Sequence, residues 1–181
     1  MTSLKQQFVR QNFSNAYQLV DGEAMHSSHG SRFQIPPSVI RRHVGTGHFV
    51  EVRIDSPRFS VHKDDAELCT CPSCHGEMSK PILRHDHPAT LVPTTPQNIP
   101  SRGWGEDFWV RITESEDDYL KGVVDNPLIE TRLHNIHCGD KLVLQQKHIL
   151  AVHASHREDL VLRMSAEELK ELALWLGSIK D

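Results

Sequence analysis

No apolar run in this 181-residue chain approaches the roughly 20 residues a membrane-crossing helix needs, so no membrane partner is expected. The opening Met1-Thr2-Ser3-Leu4-Lys5-Gln6-Gln7 lacks the basic stretch and apolar core of an export signal, which makes the cytoplasm the expected location. Neither GxxxxGK(S/T) nor GxGxxG occurs, so no glycine-rich phosphate loop is present. Cysteine is scarce: four residues without an export signal point away from a disulfide framework and towards metal or free thiols. An excess of positive charge is also missing. The net charge is −4, and nucleic acid is an unlikely partner for such a chain. The balance is uneven: residues 1–63 carry 8 Lys/Arg against 4 Asp/Glu, and residues 64–181 carry 12 against 20. What is there, 38% apolar and 24% charged residues, describes a globular chain able to bury a core.

Leu4, Phe8, Val9, Phe13 and Tyr17 recur at mostly three- and four-residue steps, predicting an amphipathic helix over 4–20 that Asp21-Gly22 ends. Residues 22–32, rich in Gly, Ser and His, read as a loop, and Ser38–His43 as a helical turn after Pro36-Pro37. Alternation predicts a strand over 48–54. Further strands are expected at 107–113, 119–126, 141–144 and 148–153, with a last one at 159–164. An acidic turn separates the 107–113 and 119–126 strands, and Cys138-Gly139-Asp140 forms a tight turn. Ser165 with Glu168 is a capping box. Leu169, Leu172, Ala173, Trp175 and Leu176 then make the stripe of a helix docked on the core.

Residues 64–90 differ from the rest. They hold three of the four cysteines, three histidines and few apolar groups, so they need a staple. In Cys69-Thr70-Cys71-Pro72-Ser73-Cys74-His75-Gly76 the C-x-x-C spacing lets two thiolates turn onto one ion. Cys69 and an imidazole from His85 or His87 would complete a tetrahedron, and the softness of these ligands favours zinc. A rival set is Cys71, Cys74, His85 and His87; His75 and Cys138 are further candidates for the last position. Thiolate-rich closed sites are structural, and binding energy there becomes folding energy. Two other readings compete. A metal-dependent enzyme would use an open zinc site or the cluster His134, His137 and Asp140. A c-type haem carrier would use Cys71-Pro72-Ser73-Cys74-His75. Trp104, Phe108 and Trp109 offer aromatic rings near a strand, but the neighbouring Glu114, Glu116, Asp117 and Asp118 would repel phosphates.

Phe108-Trp109-Val110, Lys121-Gly122-Val123-Val124-Asp125-Asn126-Pro127, Gly139-Asp140 and His148-Ile149 resemble the pattern of a bacterial family of unknown function, DUF2314 (the YegJ-like proteins), over residues 107–150. Upstream, Phe33-Gln34-Ile35-Pro36-Pro37 with Arg41 and Gly47 is similar to the segment preceding that module in longer bacterial relatives. The resemblance implies a small β-rich module and carries no catalytic residue. The Cys/His segment is not part of that family's pattern, so its reading rests on chemistry alone.

The expected protein is α+β. A small bent β-barrel or sheet, of SH3-like or OB-like size, carries helices at both ends of the chain and a metal-stapled loop. Its parts are a helix-and-strand region (1–65), the Cys/His loop (66–92), a Pro-rich linker (93–103), the DUF2314-like module (104–164) and a terminal helix (165–181). The leading functional expectation is a non-enzymatic binding module with structural zinc and a protein partner.

Overall fold

A computed structural model describes residues 2–56, 99–101 and 104–179, without the side chains of Trp104 and Arg132. Six antiparallel strands form one sheet: β1 (Gln18–Leu19), β2 (Phe49–Ser56), β3 (Trp104–Glu116), β4 (Tyr119–Val124), β5 (Lys141–Gln145) and β6 (Ala151–Val152). They run in the order β1-β2-β3-β4-β5, β6 also pairing with β2, and the sheet curls into a half-barrel. Around it lie α1 (Leu4–Arg10), α2 (Gly22–His29), α3 (Ser38–Arg41), α4 (Thr131–His134), α5 (Arg157–Leu162) and α6 (Ala166–Ser178). The architecture is therefore mixed α and β with a helix near each end, as the sequence predicts.

Period-two patterning drives the sheet. Val50, Val52 and Ile54 of β2 meet Phe108, Val110 and Ile112 of β3 and Leu120 of β4 on the concave face, each at most 1% exposed. The register pairs Val50 with Val110 and Val52 with Phe108. A register shift between Ile112 and Glu114 bends β3 against β4, as a bulge does. Gly122 sits opposite Ile112, and a Cβ there would lie 2.4 Å from Val110 Cγ1 and 2.7 Å from the Arg111 carbonyl oxygen. The close approach of β3 and β4 thus demands glycine. Asn126 ends the hairpin by accepting the Trp109 N–H at 2.7 Å. Gly139, at φ 91°, makes the Cys138–Asp140 turn.

Four expectations need correction. The N-terminal helix stops at Arg10: Gln11 turns extended and Asn15 and Ala16 adopt left-handed φ of 57° and 59°. Asp21 does not end a helix but caps one, accepting the Ala24 N–H at 3.0 Å, so much of 22–32 is α2 rather than loop. Residues 148–153 form only the short β6 after a 3₁₀ turn at Gln146–His148. Residues 159–164 are mostly helix α5, with Glu158 and Asp159 in its first turn and Arg163 bonded back to Asp159.

The terminal helix α6 has its capping box, yet none of its described residues is buried. Leu169, Leu174 and Leu176 are 40%, 78% and 45% exposed. Polar clips hold it instead: Arg42 bonds Glu171 at 2.6 Å and His43 approaches Glu168 at 3.0 Å. Among the described residues no helix is long and apolar enough to cross a membrane.

Candidate functional site

Among the described residues β1 and β5 do not pair with each other, and a pocket lies beside β1, reaching Lys147 and His148 just after β5. Its making starts at α1, where Ser3 and Gln6 form a capping box and the helix packs on β4 and β5. At Gln11 the chain leaves the helix and the side-chain amide turns to the outer edge of β5. It donates to the Val143 carbonyl at 2.8 Å and accepts the Val143 N–H at 2.7 Å. The side-chain amide carries a donor and an acceptor side by side, so it can serve a strand edge in both directions. Next, Asn15 donates to the Leu133 carbonyl at 2.6 Å, and the Ser56 hydroxyl donates to the Asn15 carbonyl at 2.8 Å. These long-range bonds hold the Asn15-Ala16 pair in a backbone region that costs about 1–2 kcal/mol per non-glycine residue.

The resulting cavity has a volume of about 590 Å³. Phe8, Phe13, Tyr17 and His148 give it rings, Gln11, Asn12 and Gln18 give it amides, and Asp21 and Lys147 stand at 2.9 Å from each other beside it. Phe8 and His148 are stacked, with centroids 5.6 Å apart and planes at 23°. Burial, with the charges of Glu130, Glu106 and Asp55, pushes the Tyr17 hydroxyl well up, so it is a neutral phenol. Burial works against ionisation of Asp21, but the Ala24 N–H and Lys147 outweigh it and hold the carboxyl below its usual range.

The buried histidines are fixed by hydrogen bonds. His48 Nδ1 accepts the Gly45 N–H while Nε2 meets Asp159 at 2.8 Å. His134 Nδ1 accepts the Ile136 N–H while Nε2 meets Glu106 at 3.2 Å. His148 Nδ1 accepts the Gln145 N–H. Each backbone donor assigns the neutral ring its Nε2–H tautomer. His48 and His134 thus have both nitrogens engaged, which fixes the orientation of their rings. Burial opposes ionisation of Glu106, but bonds from His134 and from the Ile129 and Glu130 N–H groups hold its carboxyl below the usual range. The Ser165 N–H, aided by His43, takes the Glu168 carboxyl down to about 2.

Compared with known protein families, with curated proteins and with solved structures, the chain matches none of them.

Cys69, Cys71, Cys74, His75, His85 and His87 lie outside the described residues. Cys138 is an exposed free thiol. The predicted trio at 134–140 is divided: His134 is buried on Glu106, whereas His137 and Asp140 form an exposed pair 3.5 Å apart. Among the described residues, no three His, Cys, Asp or Glu side chains gather to hold a metal ion. Phe108 is core, and Trp109 stands edge-on to His153. Gln11, Asn12 and Gln18 were not singled out by periodicity. For Asn12 the signal is its place with Ser14 and Asn15, poor helix formers inside an apparent helix; Gln11 and Gln18 carry no such mark.

Proposed function

We propose that this chain is a non-enzymatic binding module in which a half-barrel presents a Cys/His excursion held by structural zinc, with a protein as partner. The observation that carries the reading is the Ser56–Trp104 pairing: the two strands that lead into and out of residues 57–103 lie side by side in one ladder. A segment whose ends are held together needs few further constraints to fold, and a metal bound by thiolates would supply them. The proposed ligands are Cys69, Cys71 and Cys74 with His85 or His87, an arrangement whose spacing suits a tetrahedral zinc site. Thiolate ligands of this kind fit a reducing compartment such as the cytoplasm. Kinship with the DUF2314 (YegJ-like) family over residues 107–150 belongs to the same proposal and rests on the strand and turn motifs alone.

The test is metal analysis of the purified full chain by inductively coupled plasma mass spectrometry, with a visible spectrum of the same sample. About one zinc per chain is expected for a single four-ligand site, with no Soret band. Cys71→Ser with Cys74→Ser should lose the zinc, and Cys138→Ser should keep it. A metal-free protein after chelator-free preparation would overturn the zinc reading, and a Soret band would make the chain a haem protein instead.

A further inference from the structure

The pocket beside β1 calls for an occupant of its own, independent of any metal in the β2–β3 excursion. We propose that it binds a neutral, planar heteroaromatic group bearing a hydrogen-bond donor and an acceptor on one edge. Size is the first argument: about 590 Å³ falls within the roughly 300–1,000 Å³ of small-molecule sites. Shape is the second. Phe8, Phe13, Tyr17 and His148 line the space with flat faces, and a flat ring can join the existing Phe8–His148 stack or meet a neighbour edge-on.

Charge is the third argument. The two charged side chains lining the pocket, Asp21 and Lys147, neutralise each other at 2.9 Å. An anion would have to draw Lys147 from Asp21, and a cation would have to do the reverse. A neutral ligand leaves the pair intact. The fourth argument is the supply of amides. Gln11 spends its own on Val143, but among the described residues the side chains of Asn12 and Gln18 make no hydrogen bond. Each offers one acceptor oxygen and two donor hydrogens, which suits an edge carrying both functions. Between these amides Ala16 lines the pocket, and it follows Asn15 in a pair of consecutive left-handed residues that Asn15 anchors by bonds to Leu133 and Ser56. A backbone fixed so deliberately is what a preformed site requires.

The experiment is a nitrogen-15 correlation NMR titration of the full chain at pH 7 with three probes, adenine, uracil and nicotinamide, and with toluene as a ring lacking the polar edge. At least one heteroaromatic probe should give saturable shifts at the amides of residues 8–19 and 147–148. Toluene should bind at least tenfold more weakly than that probe. Ala16→Phe, which fills the space, should abolish the shifts. Gln18→Leu, at an exposed position, should weaken binding about tenfold while leaving the rest of the spectrum unchanged, and it keeps the test decisive if the filled variant does not fold. The proposal is overturned if none of the three probes saturates at millimolar concentration, if toluene binds as well, or if Gln18→Leu binds unchanged. Zinc content measured on the same sample separates this result from the fate of the metal reading.

Discussion

The Gln11 side chain closes the outer edge of β5, and removing it gives the most direct test of how this half-barrel is finished. Its two bonds to Val143 are 2.7 and 2.8 Å long, and Val143 is only 4% exposed. A hydrogen bond of this kind contributes about 0.5–1.5 kcal/mol net, and a buried group left without its partner costs about 1–3 kcal/mol. The adjoining pocket admits water to the abandoned backbone groups and offsets part of that cost, so Gln11→Ala should destabilise the protein by about 2 kcal/mol. For a chain of this length that is a fall in melting temperature of about 4–8 °C. Gln11→Glu should lose at least as much near neutral pH, because a carboxylate can accept from the Val143 N–H but faces its carbonyl oxygen without a proton to offer. Protonating that carboxylate restores a donor, so the deficit of Gln11→Glu relative to the native chain should shrink below about pH 4. Urea unfolding followed by circular dichroism measures each value, with exposed Asn12→Ala as the neighbouring control, expected within about 0.5 kcal/mol of the native chain. An exposed β5 edge should also raise the tendency to self-associate, readable by light scattering. If Gln11→Ala unfolds within about 0.5 kcal/mol of the native protein, the amide is not what completes the edge, and the reasoning fails.

Other expectations follow from the same packing. Gly122→Ala should cost at least about 2 kcal/mol by denaturant unfolding, because its Cβ meets the Arg111 backbone, which cannot swing aside as a side chain can. Glu106, held below the usual carboxylate range, contributes stability that is present above its unfolded value of about 4.3 and lost as pH falls through the lower folded value. Glu106→Gln should therefore show a shallower loss of stability between about pH 5 and pH 2 than the native chain, and equal slopes would contradict the assignment. Leu174→Glu on α6, 78% exposed, should change stability by less than about 0.5 kcal/mol, whereas Leu160→Ala on α5, 2% exposed, should cost about 2–5 kcal/mol.

Local rules were legible where a single signal decided the outcome. The alternation in β3 and β4 and the Ser165–Glu168 box each act within a few residues, and the chain obeys them. The helix expected over 4–20 illustrates the opposite case. Phe8, Phe13 and Tyr17 do share one pocket wall, so their spacing carried true information about burial. Its form was decided elsewhere, by Val143, Leu133 and Ser56, which are more than 40 residues away in sequence. Residues 159–164 mixed apolar and charged groups in a run too short for periodicity to separate strand from helix. The stripe on α6 was legible as a pattern, but periodicity does not say what covers it, and Arg42 and His43 hold the helix by its polar side.

The pairing of Ser56 with Trp104 also bears on the order in which the molecule assembles. β3 and β4 are joined by the short turn at Asp117-Asp118, so that hairpin can form on the microsecond scale of local contacts. β2 has no such neighbour: its partners β1, β3 and β6 are all distant along the chain, β3 following only after residues 57–103. Yet Val50, Val52 and Ile54 of β2 are fully buried at the centre of the core. A strand at the heart of the interior is thus one whose capture demands a large loss of chain freedom. Its arrival, rather than the formation of the meander it joins, is therefore the step expected to set the pace of folding.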